Sequence, residues 1–279
     1  MASLFQFPAL VAYLLSTAGF LVFIVRRNKT AAAGATWLMA AGFGLQTAAL
    51  AFQTSSLGQI PVLTLPQALG FSGWALTGGC LLLFWKFRLP VLGAFASPLA
   101  TALVLIGSAQ KETLAGVTPT FQSLWLTLHL GSIFSGYAFF GLAFLAGVMY
   151  LLQERQIKAK RTGALYHRLP SLNVLDALNY YCLTIGFPLM TLGLITGAAL
   201  AQLALGAYWR WDPKEVWSLV VWLLYAVLLH QRLTVGWRGR RAAIMAIVGF
   251  TMLCFTFLGV SVLFSGYHTF ESLKNLRSP

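Results

Sequence analysis

Apolar runs long enough to cross a bilayer recur along the whole 279-residue chain, and they are continuous rather than alternating. Inside hydrocarbon no water is available to the backbone. A spanning segment must therefore satisfy its own amides and carbonyls as a helix, or share them around a closed barrel. Barrel strands would alternate apolar and polar residues in short segments, and that pattern is missing here. The chain is thus expected to be all-α, a polytopic membrane helical bundle of about eight transmembrane helices. The spans fall at roughly residues 7–25, 33–52, 66–85, 90–108, 124–152, 175–204, 216–234 and 242–264.

A net charge of +13 would point to nucleic acid in a soluble protein. Here its placement gives another explanation, and no nucleic acid partner is expected. With the first connection on the cytoplasmic side, fourteen of the nineteen lysines and arginines fall inside: Arg26, Arg27, Lys29, Lys86, Arg88, Arg155, Lys158, Lys160, Arg161, Arg168, Arg232, Arg238, Arg240 and Arg241. Only Lys111, Arg210, Lys214, Lys274 and Arg277 fall outside. This positive-inside bias puts both termini on the outer side, with anionic lipid head groups as counter-charges inside. Positive charge follows the first apolar run instead of preceding it, so that run reads as a retained span and not as a signal peptide. Cys80, Cys182 and Cys254 lie within spans without C-x-x-C spacing, which indicates packing residues and neither a redox pair nor a thiolate metal site.

No connection is long enough to fold alone. The longest, about 153–172, is basic and splits the chain into five spans and then three, with no internal repeat. Small residues recur in the fifth span (Gly131, Ser132, Ser135, Gly136) and the sixth (Gly186, Gly193, Gly197). They fit close helix packing, and the same lack of bulk would let a flat macrocycle lie against a helix. Pro188 is expected to kink the sixth span and free a backbone carbonyl at membrane depth.

One outer connection is unusual. Trp209-Arg210-Trp211-Asp212-Pro213-Lys214-Glu215-Val216-Trp217, followed by Trp222 and Tyr225, crowds tryptophans between two apolar runs. An aromatic belt spreads tryptophan thinly along both interfaces. Clustering on one side also suits a shelf for a large flat apolar ligand, of which haem is the first candidate. Asp212, Pro213 and Glu215 read as N-cap, first helical position and third-position carboxylate, a capping box opening the seventh span. Their expected role is structural, fixing how Trp209 and Trp211 are presented.

Four histidines occur. His167 falls in the basic connection and is expected to be solvated. His129 lies about five residues into the fifth span, roughly 7–8 Å below the outer surface, and His268 follows the eighth span at the same face. His230 lies on the order of 20 Å down the seventh span. A neutral imidazole is a good iron ligand, and two at one depth could hold a bis-histidine haem. Singly, His129 also suits a helix-to-helix hydrogen bond, His268 an interfacial position, and His230 the inner cationic cluster beside Arg232. An ionisable residue inside the membrane nonetheless marks function by default.

Tyr208 to Trp217, then Trp222, Tyr225-Ala226 and Leu229-His230-x-Arg232, resemble the WWD signature of the CcsA/ResC family, haem-handling proteins of cytochrome c biogenesis. Leu175 to Tyr181, Gly186-Phe187-Pro188 and Gly266-Tyr267-His268 are similar to the flanking family segments, so the likeness runs over the last 160 residues or so, from about His129 onward. The resemblance implies an N-terminal four-helix membrane region (1–123) and a haem-handling core (124–279) with its WWD loop at 205–222. It implies that haem b, as transported ligand, sits beneath the outer loop. His129 and His268 would be its axial ligands, and Trp209, Trp211, Asp212, Trp217 and Trp222 its platform. Haem would be presented there to the C-x-x-C-H motif of apocytochrome c, in the cytoplasmic membrane with the working face outside.

His230 would receive haem from the cytoplasm. The family's transmembrane site uses two histidines, and only His230 is at that depth here, so a ResB/CcsB-type membrane subunit would supply its mate. The chain is then expected to be part of a haem-lyase complex, with cysteine reduction left to a separate thiol-reducing protein. A haem or hydrophobic-molecule transporter without ligation, a b-type electron-transfer cytochrome and a haem-biosynthesis accessory protein are the alternatives. The transporter would favour inverted repeats, the cytochrome needs a second deep histidine, and the accessory protein needs no tryptophan cluster.

Overall fold

The computed structural model describes residues 2–58, 60–62, 64–108, 124–160, 163 and 166–263. Their regular structure is helical throughout: α1 (Ala2–Arg26), α2 (Lys29–Leu57), α3 (Leu65–Phe87), α4 (Pro90–Ser108), α5 (Leu124–Lys158), α6 (Leu172–Leu205), α7 (Pro213–His230) and α8 (Arg240–Cys254). A π-helical turn, Gln231–Val235, follows α7. A second, Phe255–Gly259, carries α8 into a last α turn, Val260–Leu263. Among the described residues eight helices are long and apolar enough to cross a membrane, in agreement with the expected spans. The chain is a multi-pass membrane protein of all-α architecture.

Polar side chains close the helix ends. Asn28 Oδ1 accepts from the amides of Thr30 and Ala31 to open α2, and Thr64 forms a reciprocal capping box with Gln67 at the start of α3. Without such partners the first amides of each helix would be orphaned. The bend after α1 and the end of α3 instead put Arg27 and Arg88 in the left-handed region, at φ 54 and 51.

The most enclosed span is α5, with 78% of its apolar window inside the protein against 50% or less elsewhere. It packs most broadly on α6 and also meets α3 and α8, while α1 joins α2 and α4. The close approach of α5 and α6 follows from missing side chains. A Cβ on Gly136 would come within 3.1 Å of the Met190 amide, and one on Gly186 within 2.8 Å of the Phe140 ring. Gly131 departs from that expected pattern, because a Cβ there would meet nothing within 4 Å. Buried Asn179 adds a polar tie, donating to Ala143 O at 3.0 Å.

At the basic end of the bundle an ion pair crosses from α6 to the turn after α7. Arg232 Nη1 and Nη2 donate to Asp176 Oδ1 and Oδ2 at 3.0 and 2.7 Å, and Nη2 also reaches Asp176 O. The Gly239 amide donates to Asp176 Oδ1 at 2.7 Å, and the Arg232 guanidinium lies 4.8 Å from the Tyr180 ring centroid. Arg232 is 9% exposed, so its charge depends on these partners. One carboxylate thereby joins α6, the π turn and the start of α8.

Candidate functional site

Construction of the tryptophan loop begins at Asp212. It caps α7, accepting from the Lys214 amide at 2.9 Å, and closes a reciprocal capping box with Glu215 around Pro213. That is the arrangement expected from the sequence. Glu215 also acts beyond the cap. Its Oε2 accepts from the amides of both Arg210 (2.9 Å) and Asp212 (3.3 Å), the residues flanking Trp211. Bracketed this way, Trp211 adopts φ 60, a left-handed conformation that costs a side chain-bearing residue about 1–2 kcal/mol. The residue is 77% exposed, and the Trp209 ring stands against its ring edge-on at 5.8 Å and 89°. Strain of this kind persists where surrounding structure over-determines it.

His129 faces α6. Its Nδ1 lies 2.7 Å from Gly193 O, and a Cβ on Gly197 would meet the imidazole at 2.7 Å. The helix-to-helix bond anticipated as one use of this residue is therefore present.

Two helices set this histidine level with the loop. Tyr225 on α7 stacks on Phe140 of α5. Pro213 is twelve residues before Tyr225, and His129 is eleven before Phe140. At 1.5 Å per residue both lie about 16–18 Å above the stack. Between them is an aromatic floor. Trp217 meets Phe255 edge-on at 4.9 Å, and Phe257 touches Phe134 and Tyr137 of α5. Lys214 Nζ lies 5.9 Å from the Phe257 ring centroid. Phe255 and Phe257 belong to the π turn of α8, a geometry that recurs at functional sites.

Trp222 is turned toward α6. Its Nε1 donates to Thr191 Oγ1 at 2.9 Å, and its ring stacks on Phe187 at 5.4 Å and 28°. It holds α7 to α6 below the loop. His230 is the last residue of α7 and is exposed, on the outside of the bundle. His268 lies outside the described residues. Among the described residues no group of three His, Cys, Asp or Glu side chains could hold a metal, and the three cysteines are unpaired.

Four features were not apparent from the sequence: the Asp176–Arg232–Gly239 clamp, the bracketing of Trp211 by Glu215, the turn of Trp222 toward Thr191, and the seat of His129 between Gly193 and Gly197. The glycines were visible as a packing pattern, but nothing local tied them to His129.

Residues 62–268 match the profile of a family described as "Cytochrome C assembly protein". The chain belongs to this family. Within it, the chain is 34% identical over 251 residues to "Cytochrome c biogenesis protein CcsA" of Synechococcus sp. (strain CC9902), covering 81% of this chain and 83% of that protein. It is 34% identical over 264 residues to the CcsA protein of Prochlorococcus marinus (strain MIT 9303), covering 84% and 83%. The CcsA resemblance thus reaches α3 and α4, well before His129, and the family match closes on His268. Among solved structures, "Cytochrome c Heme Lyase CcmF" superposes with a TM-score of 0.65 at 18% identity. That likeness shows a shared fold, covering 99% of this chain and 50% of the longer CcmF chain. The protein is therefore a multi-pass membrane component of cytochrome c biogenesis.

Proposed function

We propose that this chain is the haem-handling membrane subunit of a two-component cytochrome c biogenesis machine. It receives haem b and presents it at the tryptophan end, on the extracytoplasmic side of the cytoplasmic membrane, for attachment to apocytochrome c. His129 and His268 are the axial ligands. Trp209, Trp211, Asp212 and Trp217 frame the macrocycle, and Trp222 fixes α7 beneath it. One observation carries the reading. By helical rise His129 lies near the height of the Asp212 cap, whose loop exposes Trp211. An aromatic floor runs from Trp217 through Phe255 and Phe257 to Phe134 and Tyr137, surroundings that suit a flat apolar macrocycle with a central metal.

The chemistry this arrangement serves is a thiol addition. Each C-x-x-C-H cysteine sulfur bonds to one carbon of a haem vinyl group, and the other vinyl carbon takes a proton. No electrons are gained or lost, so the cysteines must arrive reduced, from a separate thiol-reducing protein. The chain's own contribution is to orient haem and hold its edge at the surface.

His230 fits a receiving role shared with a partner. It lies on the outside of α7 with exposed Leu223 and Val227, and a bare imidazole on a lipid-facing span is costly. A ResB/CcsB-type subunit covering this face would bury it and supply a second imidazole. The Phe140–Tyr225 stack fills the bundle between α5 and α7, which favours passage along that covered outer face.

Thioether attachment to a C-x-x-C-H reporter in cells tests the proposal. His129→Gly should abolish attachment, and imidazole in the medium should restore part of it. Normal attachment in His129→Gly without imidazole would overturn the ligand assignment.

A further inference from the structure

The contact between His129 and α6 is more specific than helix packing. A carbonyl oxygen only accepts, so the 2.7 Å approach of Nδ1 to Gly193 O makes Nδ1 the protonated nitrogen. In the neutral ring the lone pair then sits on Nε2. Thr196 Oγ1 donates chiefly to Leu192 O at 2.7 Å, with Gly193 O as its second acceptor at 3.1 Å.

Gly193 and Gly197 lie one turn apart on α6 and do different things. A Cβ on Gly193 would strike Ile133 at 2.7 Å, so its absence lets the carbonyl-bearing turn approach α5. A Cβ on Gly197 would have three nearest neighbours, Cε1, Nδ1 and Cγ, all from the His129 ring. At Gly136, where the role is plain packing, the nearest atoms are instead backbone atoms of α6. The missing side chain at Gly197 is thus a slot for an imidazole.

We infer that Gly193 and Gly197 are positioning residues for haem ligation: Gly193 O fixes the tautomer of His129, and Gly197 fixes its ring plane, so that Nε2 is the metal-binding nitrogen. This rests on His129 being an axial ligand, as proposed above. Metal-bound histidines characteristically donate their other ring N–H to a carbonyl or carboxylate, and loss of that partner weakens the site about 10- to 100-fold.

The test uses the full-length protein purified with haem, read by its absorbance spectrum. His129→Gly is titrated with imidazole, 4-methylimidazole and 1-methylimidazole. The two methylated bases are the same size, but 1-methylimidazole has no N–H to give Gly193 O. Imidazole and 4-methylimidazole should restore the low-spin spectrum at similar concentrations. 1-methylimidazole should need about ten-fold more or higher, because it loses the hydrogen bond and turns its N-methyl toward Gly193 O. Equal potency of the two methylated bases would overturn the inference while leaving His129 as ligand. A wild-type spectrum in His129→Gly with no base added would instead sink the ligand reading beneath it. Gly197→Ala in otherwise intact protein should raise the high-spin fraction and shift the haem reduction potential; an unchanged spectrum and potential would count against the slot.

Discussion

The phenol ring of Tyr225 lies face to face on Phe140, with centroids 3.6 Å apart and planes 5° from parallel. This contact sets the register of α7 against α5, and through it the height of the tryptophan loop relative to His129. Gly249 of α8 makes room for the ring, since a Cβ there would come within 2.9 Å of Tyr225 Cζ. The site is therefore held from below, by packing in the middle of the bundle, as well as by the loop itself.

The Tyr225 hydroxyl is buried without a hydrogen-bond partner. Burying an unsatisfied polar group costs on the order of 1–3 kcal/mol. Tyr225→Phe should therefore leave thermal stability in detergent unchanged or raise it, by up to about 1 kcal/mol, with haem content intact. Tyr225→Ala removes the stack and should lower both, by about 3–5 kcal/mol in stability. A large loss in Tyr225→Phe would mean that the hydroxyl has a role which packing does not reveal.

Trp211 offers a separation of stability from function. Glycine takes φ 60 without strain, so Trp211→Gly should keep or slightly raise the melting temperature while lowering haem retention. Haem per protein after purification, measured beside the thermal melt, checks this. Retention equal to wild type would remove Trp211 from the platform.

Glu215 should matter through the Trp211 backbone. Glu215→Ala frees the Arg210 and Asp212 amides and should cost about 1 kcal/mol of helix capping. It should also reduce haem retention toward the level of Trp211→Gly. Glu215→Gln keeps an acceptor oxygen and should retain most of the haem. If both variants bind haem equally poorly, the carboxylate charge and not the bracketing is what counts.

The basic end has its own signature. Asp176→Ala leaves the Arg232 charge buried and should destabilise the protein by about 3–5 kcal/mol. Asp176→Leu with Arg232→Met should recover much of that loss, because two apolar groups replace the pair. Thermal melts of Asp176→Leu, Arg232→Met and the double read the coupling. A double variant as unstable as the sum of the two singles would contradict a pairwise clamp.

Much of this was legible in the sequence. Unbroken apolar runs announced the spans because backbone polarity leaves no other solution in hydrocarbon. The Asp212-Pro213-Lys214-Glu215 cap was also readable, since its residues interact within four positions. What was not readable depends on separation along the chain: Asp176 and Arg232 are 56 residues apart, and His129 and Gly193 are 64 apart. Tertiary packing alone brings such pairs together. The turn of Trp222 toward Thr191 escaped for a different reason, because a tryptophan in a cluster of tryptophans carries no mark of which face it shows.

The most direct measurement is the absorbance spectrum of haem bound to His129→Gly and to His268→Gly, each with and without imidazole. The expected result is a low-spin, six-coordinate haem in the wild type. Each single variant should give a high-spin spectrum that imidazole converts back. A low-spin spectrum in either variant without added imidazole would contradict a haem shared between these two side chains.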